Sequence, residues 1–260
     1  MKYYLLIIML FGKITPSFSG EWQENIYENN YFNLPYQIYI PDNEKENNPL
    51  VIFLHGTGVS GNDNKAQLHK GQNIGSDYFA SKRIQNIRNA YVLAPQTTKE
   101  IRWASTDIGE YDLDNTEVTP SMKALLQLID NVVVTRKIDT TRIYLVGLSR
   151  GGQGVWNAAL LRPNYFAAIV PIAGSSSPKH AAKLAQQPTW AFHGTNDIVT
   201  HVNYTRNMVD AMLKNGSSTK WLRYTEIQDG THPDSWIHAF KDQNLWYWML
   251  EQQRTNIANE

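Results

Sequence analysis

The sequence predicts an α/β domain with a mostly parallel central sheet and helices on both faces. Three observations lead there. Short apolar runs alternate with amphipathic stretches from Tyr36 to Leu250, and such alternation lays successive strands side by side in one direction. The run Leu50-Val51-Ile52-Phe53-Leu54 is apolar throughout, as a strand buried on both faces requires. The chain has 260 residues, a length that suits one sizeable core better than two small ones.

The elements follow in order. Lys2 gives a short positive start, Tyr3 to Phe11 is an unbroken apolar run, and Ser17-Phe18-Ser19-Gly20 has a small-x-small pattern. Residues 1–19 are therefore expected to be a signal peptide cut after Ser19, with residues 20–260 forming a single domain. The apolar run is too short to span a bilayer as a helix, so no membrane anchor is expected after cleavage. There is no cysteine, which excludes disulfides and lipid attachment at a cysteine.

Tyr36 to Ile40 alternates like a strand, DNEKENNP (42–49) is a solvated turn, and Leu50 to Leu54 is the central strand. Ala90 to Ala94 is a strand ended by Pro95. Thr119-Pro120 opens a helix with a capping hydroxyl and a proline at the first position, and Leu125, Leu128, Ile129 and Val132 continue it at helical spacing. Strands then fall at Arg142–Val146, Phe166–Ile172, Thr189–Phe192 and Trp221–Ile227. Between and after them lie helices at Gly152–Leu161, Pro178–Gln186, Val202–Lys214 and Ser235–Leu250, the third closed by Asn215-Gly216.

Charge and composition exclude several classes of partner. Lys and Arg number 24, as do Asp and Glu, and no basic run stands out, which argues against nucleic acid and anionic membrane surfaces. Eight Trp and fourteen Tyr exceed what a substrate groove needs, so most should pack in the core or its rim. Asp112, Asp114 and Glu117 lie close together in GEYDLDNTE, without the glycine and terminal glutamate of a calcium loop. A solvated acidic loop accounts for them. The seven dispersed histidines lack the paired helical spacing of a zinc protease. No metal and no cofactor is expected.

The chemistry concentrates around VGLSRGGQGVW. Gly147-x-Ser149-x-Gly151 follows an apolar strand and opens a helix, the context of a sharp turn that lifts a nucleophilic hydroxyl above the sheet. The alternative, a phosphate-binding turn, lacks the lysine and spacing of a P-loop. A serine hydroxyl needs a base, and the base needs an orienting acid. Asp197 qualifies as the acid, in the loop after the Thr189–Phe192 strand. His232 qualifies as the base, in DGTHP directly after the Trp221–Ile227 strand. His238 reads as part of a helix, and His201 starts one. An oxyanion hole needs two backbone donors, and the N–H groups of Arg150 and Thr57 are the candidates. His55, in HGTG, is expected to orient its own loop instead of acting as a base. The Arg150 guanidinium is expected to pair with a nearby carboxylate or to face an anionic substrate group.

With these pieces in place the chain resembles a known family. PLVIFLHGTGVSGNDN (49–64), YVLAPQ (91–96), IDTTRIYLVGLSRGGQGVW (138–156), FAAIVPIAG (166–174), PTWAFHGTNDIV (188–199) and DGTHPDSW (229–236) are similar to α/β-hydrolase esterases often labelled predicted peptidases. Those enzymes are related to polyhydroxybutyrate-depolymerase-like and carbohydrate-ester-cleaving enzymes. The resemblance implies the α/β-hydrolase fold, a Ser149–His232–Asp197 triad, and a pocket contacted by Gln96, Trp156 and Trp236. It further implies a secreted or periplasmic serine carboxylic-ester hydrolase acting on short-chain or carbohydrate-linked esters. A serine peptidase of the same fold, or a catalytically silent binding protein, is the alternative. Two positions depart from the family pattern: Arg150 replaces an uncharged residue, and His201 stands where proline is frequent.

Overall fold

The computed structural model describes residues 20–254 apart from 31, 43, 45–46, 70–73 and 107–108, so the expected signal peptide and its cut after Ser19 lie outside the described residues. Eight strands form one sheet in the order β1-β2-β4-β3-β5-β6-β7-β8. They are β1 (Glu21–Tyr27), β2 (Leu34–Ile40), β3 (Leu50–Leu54), β4 (Tyr91–Pro95), β5 (Ile143–Leu148), β6 (Ala168–Ile172), β7 (Thr189–Gly194) and β8 (Leu222–Ile227). The pairs β1–β2 and β2–β4 are antiparallel, and every pairing from β4 to β8 is parallel.

The helices cover both faces. Two short ones, α1 (Asp77–Ala80) and α2 (Lys82–Gln85), precede β4; α3 (Pro120–Thr135), α4 (Arg150–Leu161), α5 (Asn203–Lys214), α6 (His232–Lys241) and α7 (Gln243–Glu251) follow. Alternate residues of a strand point to opposite faces, and β3 divides accordingly. Leu50, Ile52 and Leu54 pack with Met122, Leu125 and Ile129 of α3 on one side. Val51 and Phe53 pack with Phe79, Phe240 and Trp246 on the other. All residues of β3, β4, β6 and β7 are buried, which explains the apolar runs of the first three.

Several boundaries differ from the sequence expectation, each for a local reason. Strand β1, EWQENIY, is half exposed along its length; an edge strand with one wet face needs no apolar run to mark it. The helix expected over Ser235–Leu250 breaks at Asp242, whose extended backbone ends α6 and whose side chain accepts from Asn244 N to start α7. Helix α4 begins at Arg150, two residues earlier than its apolar pattern suggests. Residues Pro178–Leu184 form 3₁₀ turns. At Thr119 the expected cap is present: its Oγ1 accepts from Met122 N at 3.1 Å.

Because β3 to β8 run in one direction, their C-terminal ends share one edge of the sheet. Thr57 follows β3, Ser149 follows β5, Asp197 follows β7 and His232 follows β8. This edge is where open α/β sheets gather functional groups.

Candidate active site

Ser149 sits between β5 and α4 with φ 55 and ψ −120, a left-handed conformation that costs a non-glycine residue on the order of 1–3 kcal/mol. Packing on both sides enforces it. Ser149 N donates to Ile172 O at 2.8 Å, and its carbonyl accepts from Gln153 N at 3.0 Å. A Cβ on Gly151 would lie 1.9 Å from Leu54 O, so only glycine lets the first turn of α4 approach β3 this closely. The loop after β3 is equally tight: a Cβ on Gly56 would stand 2.8 Å from Leu148 Cδ1 and 3.3 Å from Ser149 Cβ.

The elbow brings together three residues far apart in sequence. His232 Nε2 lies 2.9 Å from Ser149 Oγ, and His232 Nδ1 lies 2.6 Å from Asp197 Oδ2. His232 is the first residue of α6, not part of a preceding loop. Its helix is fixed by Asp234 Oδ2, which accepts from Thr231 N at 2.8 Å and Thr231 Oγ1 at 2.6 Å. Gly194 N donates to Ser235 Oγ at 2.9 Å and ties α6 to β7. The Trp236 ring meets the His232 ring edge to face at 4.9 Å.

Asp197 is buried. Its Oδ1 accepts from Val199 N at 2.9 Å and Thr200 N at 2.8 Å. Burial by itself would raise its carboxyl, but hydrogen bonds from His193, His232 and Thr200 N outweigh this and hold it well below the usual carboxylate range. It is therefore an anion at neutral pH, able to fix His232 with its hydrogen on Nδ1 and leave Nε2 to accept from the serine. The contact from His193 was not anticipated from the sequence.

Thr57 opens a 3₁₀ turn, Thr57–Val59, and Arg150 opens α4. N–H groups at such starts have no acceptor within their own helix. Both residues line a cavity of about 460 Å³ with Ser149 and His232, its walls completed by Phe53, Val59, Ile74, Leu148, Val199 and Trp236. The Arg150 side chain reaches outward, where Nη1 donates to Lys99 O at 3.4 Å. The two N–H groups are thus candidate donors for an anion forming here, beside the positive end of α4.

Two residues expected to contact substrate stand elsewhere. Gln96 is fully buried behind the cavity wall. Its Oε1 accepts from Asn64 N at 2.7 Å, while its Nε2 donates to Val59 O at 3.1 Å and Asp63 Oδ1 at 2.9 Å. With both ends of the amide engaged it braces the loop after β3. Trp156 lies two turns along α4 from the elbow, about 10 Å at the α-helical rise, and is fully buried in the core. Trp236 does line the cavity.

The remaining titratable groups sort by their contacts. His55 Nε2 accepts from Thr97 N at 3.1 Å, and its Nδ1 donates to Gly56 O at 2.7 Å. Burial pushes the imidazole down to about 4, so it stays neutral with both nitrogens engaged. His201 and His238 are exposed. Asp112, Asp114 and His180 hold ligand-type atoms within 4.8 Å of one another. However, Lys179 Nζ lies 2.7 Å from Asp112 Oδ2 and 3.2 Å from Asp114 Oδ2, so an ammonium already occupies the place of a cation.

Comparison with known proteins adds a separate line of support. The family model described as phospholipase/carboxylesterase matches residues 37–236. The chain is 31% identical over 180 residues to the bifunctional acetylxylan esterase/xylanase of Neocallimastix patriciarum, covering 68% of this chain and 23% of that one. It is 26% identical over 186 residues to feruloyl esterase D of Neurospora crassa, covering 69% of this chain and 59% of that one. A solved structure of a thermostable esterase matches with a TM-score of 0.81 at 31% identity, covering 90% of this chain and 63% of that chain. The chain thus spans less than two thirds of the length of each of these proteins.

Proposed function

The chain belongs to the phospholipase/carboxylesterase family and has the α/β-hydrolase fold; from that premise we propose that it is a secreted serine carboxylesterase acting on short-chain or carbohydrate-linked esters through Ser149, His232 and Asp197. The observation that carries this reading is the continuous hydrogen-bonded path from Ser149 Oγ through His232 to Asp197 Oδ2, at 2.9 and 2.6 Å.

His232 Nε2 takes the hydroxyl proton as Ser149 Oγ adds to the ester carbonyl. Asp197 keeps the other imidazole hydrogen on Nδ1 and supports the imidazolium that forms. The N–H groups of Thr57 and Arg150 receive the oxyanion, and loss of one such donor costs on the order of 10² to 10³ in rate. His232 then protonates the departing alcohol. A water, deprotonated by the same imidazole, releases the acyl group from Ser149.

The relatives named for acetylxylan and feruloyl ester cleavage support carbohydrate-linked esters as the first substrates to assay. The test is labelling with a fluorophosphonate probe beside turnover of p-nitrophenyl acetate, acetylated xylan, a feruloyl ester and a peptide amide. Wild type should label and cleave esters faster than the amide, and Ser149→Ala should do neither. An unlabelled wild type, or undiminished label on Ser149→Ala, overturns the serine mechanism. Faster amide cleavage moves the reading to a peptidase. Secretion rests on residues 1–19, and the exported protein should begin at Gly20 by N-terminal sequencing.

A further inference from the structure

His193, next to last in β7, is a fully buried imidazole that the mechanism above does not use. Its Nε2 lies 2.7 Å from Thr200 O and 3.1 Å from Asp197 Oδ2, and its Nδ1 lies 2.7 Å from Thr205 Oγ1. A carbonyl oxygen can only accept, so Nε2 carries a hydrogen, which it shares between Thr200 O and the carboxylate. The ring cannot turn away, because α5 holds Nδ1 through Thr205 while the acid loop holds Nε2.

Asp197 Oδ2 therefore faces two imidazoles, His232 on one side and His193 on the other. With Val199 N and Thr200 N on Oδ1, four donors meet one carboxylate, which is its full accepting capacity. The charged groups around His193 come from each neighbouring element. Asp197 lies on the acid loop and His232 on α6. Glu226 lies opposite on β8 in register with His193, and it is engaged by Arg206 of α5 at 2.7 Å through both oxygens.

We infer that His193 is a positioning residue for the reaction: it fixes Asp197 Oδ2 in line with His232 and, by drawing on the same oxygen, sets how strongly the carboxylate holds the imidazolium. The inference rests on the triad reading. Without the second donor, Oδ2 is directed by His232 alone, its angle set only through the two bonds on Oδ1, and its whole charge falls on the hydrogen bond to His232.

Two amide substitutions separate this role from simple packing. In His193→Gln the amide nitrogen falls near the place of Nε2 and can still reach Asp197. In His193→Asn it falls near Nδ1 and reaches only Thr205. His193→Asn should lower kcat on p-nitrophenyl acetate roughly 10- to 100-fold, the scale on which losing the hydrogen-bond partner of a metal-ligating residue lowers activity. KM should change little, and the acid limb of the kcat/KM profile should move to higher pH. His193→Gln should restore most of kcat and the wild-type profile. If the two variants behave alike, both normal or both equally impaired, the inference is overturned. Fluorophosphonate labelling of wild-type Ser149 keeps the two ideas apart: a labelled serine with indistinguishable variants removes only the role of His193, and an unlabelled serine removes the triad.

Discussion

Two loops close on Ser149, and they are held by different chemistry. The loop after β3 is anchored largely by neutral amides around Asn64, a buried residue with φ 52, with Asp63 and His55 at its margins. Its N–H goes to Gln96 Oε1, its carbonyl accepts from Gln37 Nε2, and its Oδ1 accepts from Gln67 Nε2. Asn64 Nδ2 donates to Asn25 O and Tyr36 O. The loop after β7 is anchored by one buried charge, Asp197, on which four donors converge. The amides themselves give up no protons, so they hold geometry without adding a charge, and the pH sensitivity of this side comes from His55. A carboxylate holds geometry and also lends charge to the base. In the proposed mechanism the side that positions the oxyanion needs only the first property, and the side that drives proton transfer needs both.

Substitutions can break this comparison, and the largest effect belongs on the charged side. Asp197→Asn should lower kcat about 10⁴-fold, the scale seen when a triad acid loses its charge and the histidine its tautomer. A loss below about tenfold in the folded variant, measured on p-nitrophenyl acetate, would show that the charge is dispensable. On the neutral side, Asn64→Ala should act on stability more than on chemistry, costing about 2–4 kcal/mol in urea unfolding as several buried groups lose partners. A large kcat defect without a stability loss would reverse the assignment.

Acid separates the two sides further. His55 is buried neutral, with its imidazole pushed down to about 4, below its unfolded value of 6.5. Between those values the unfolded chain binds the proton and the folded one does not, so stability falls as pH drops through that window, by about 3 kcal/mol in all. His55→Gln should remove that slope from a urea-midpoint titration. Asp197 has the opposite protonation and a depressed folded value. Its contribution is present above the unfolded carboxylate value and is lost only as pH falls through the depressed one, so the loop after β3 should weaken first on acidification. The smallest effect is expected at Arg150. Arg150→Met keeps the backbone N–H and should leave kcat on a neutral ester within about twofold, as for a half-buried side chain outside the core. Only esters carrying an anionic group should lose kcat/KM.

Much of this arrangement was legible in the sequence because it depends on local pattern. Buried parallel strands announce themselves as apolar runs. Ser149 and Asp197 each follow such a run and His232 follows a mixed strand at the sheet edge, which is why their meeting at one end of the sheet could be anticipated. Gln96 and Trp156 were misplaced because the direction of a side chain depends on what the rest of the fold brings near it. Gln96 has its amide consumed by a loop some thirty residues earlier, and α4 turns Trp156 into the core. Strand β1 escaped notice because a half-wet edge carries no apolar signature. His193 left one faint signal: a histidine in an otherwise apolar strand, four residues before the acid.

The strained backbone of Ser149 also orders events in time. Its conformation is supported by β6 through Ile172 and by β3 through the approach of Gly151, besides the one bond from Gln153 N in its own turn. The base that uses it stands beyond β8, the final strand. Sheets built from parallel strands distant in sequence form slowly, because each pairing must first close a long loop. During refolding, helical signal should therefore return before hydrolysis does, and ester turnover becomes a clock for completion of the sheet.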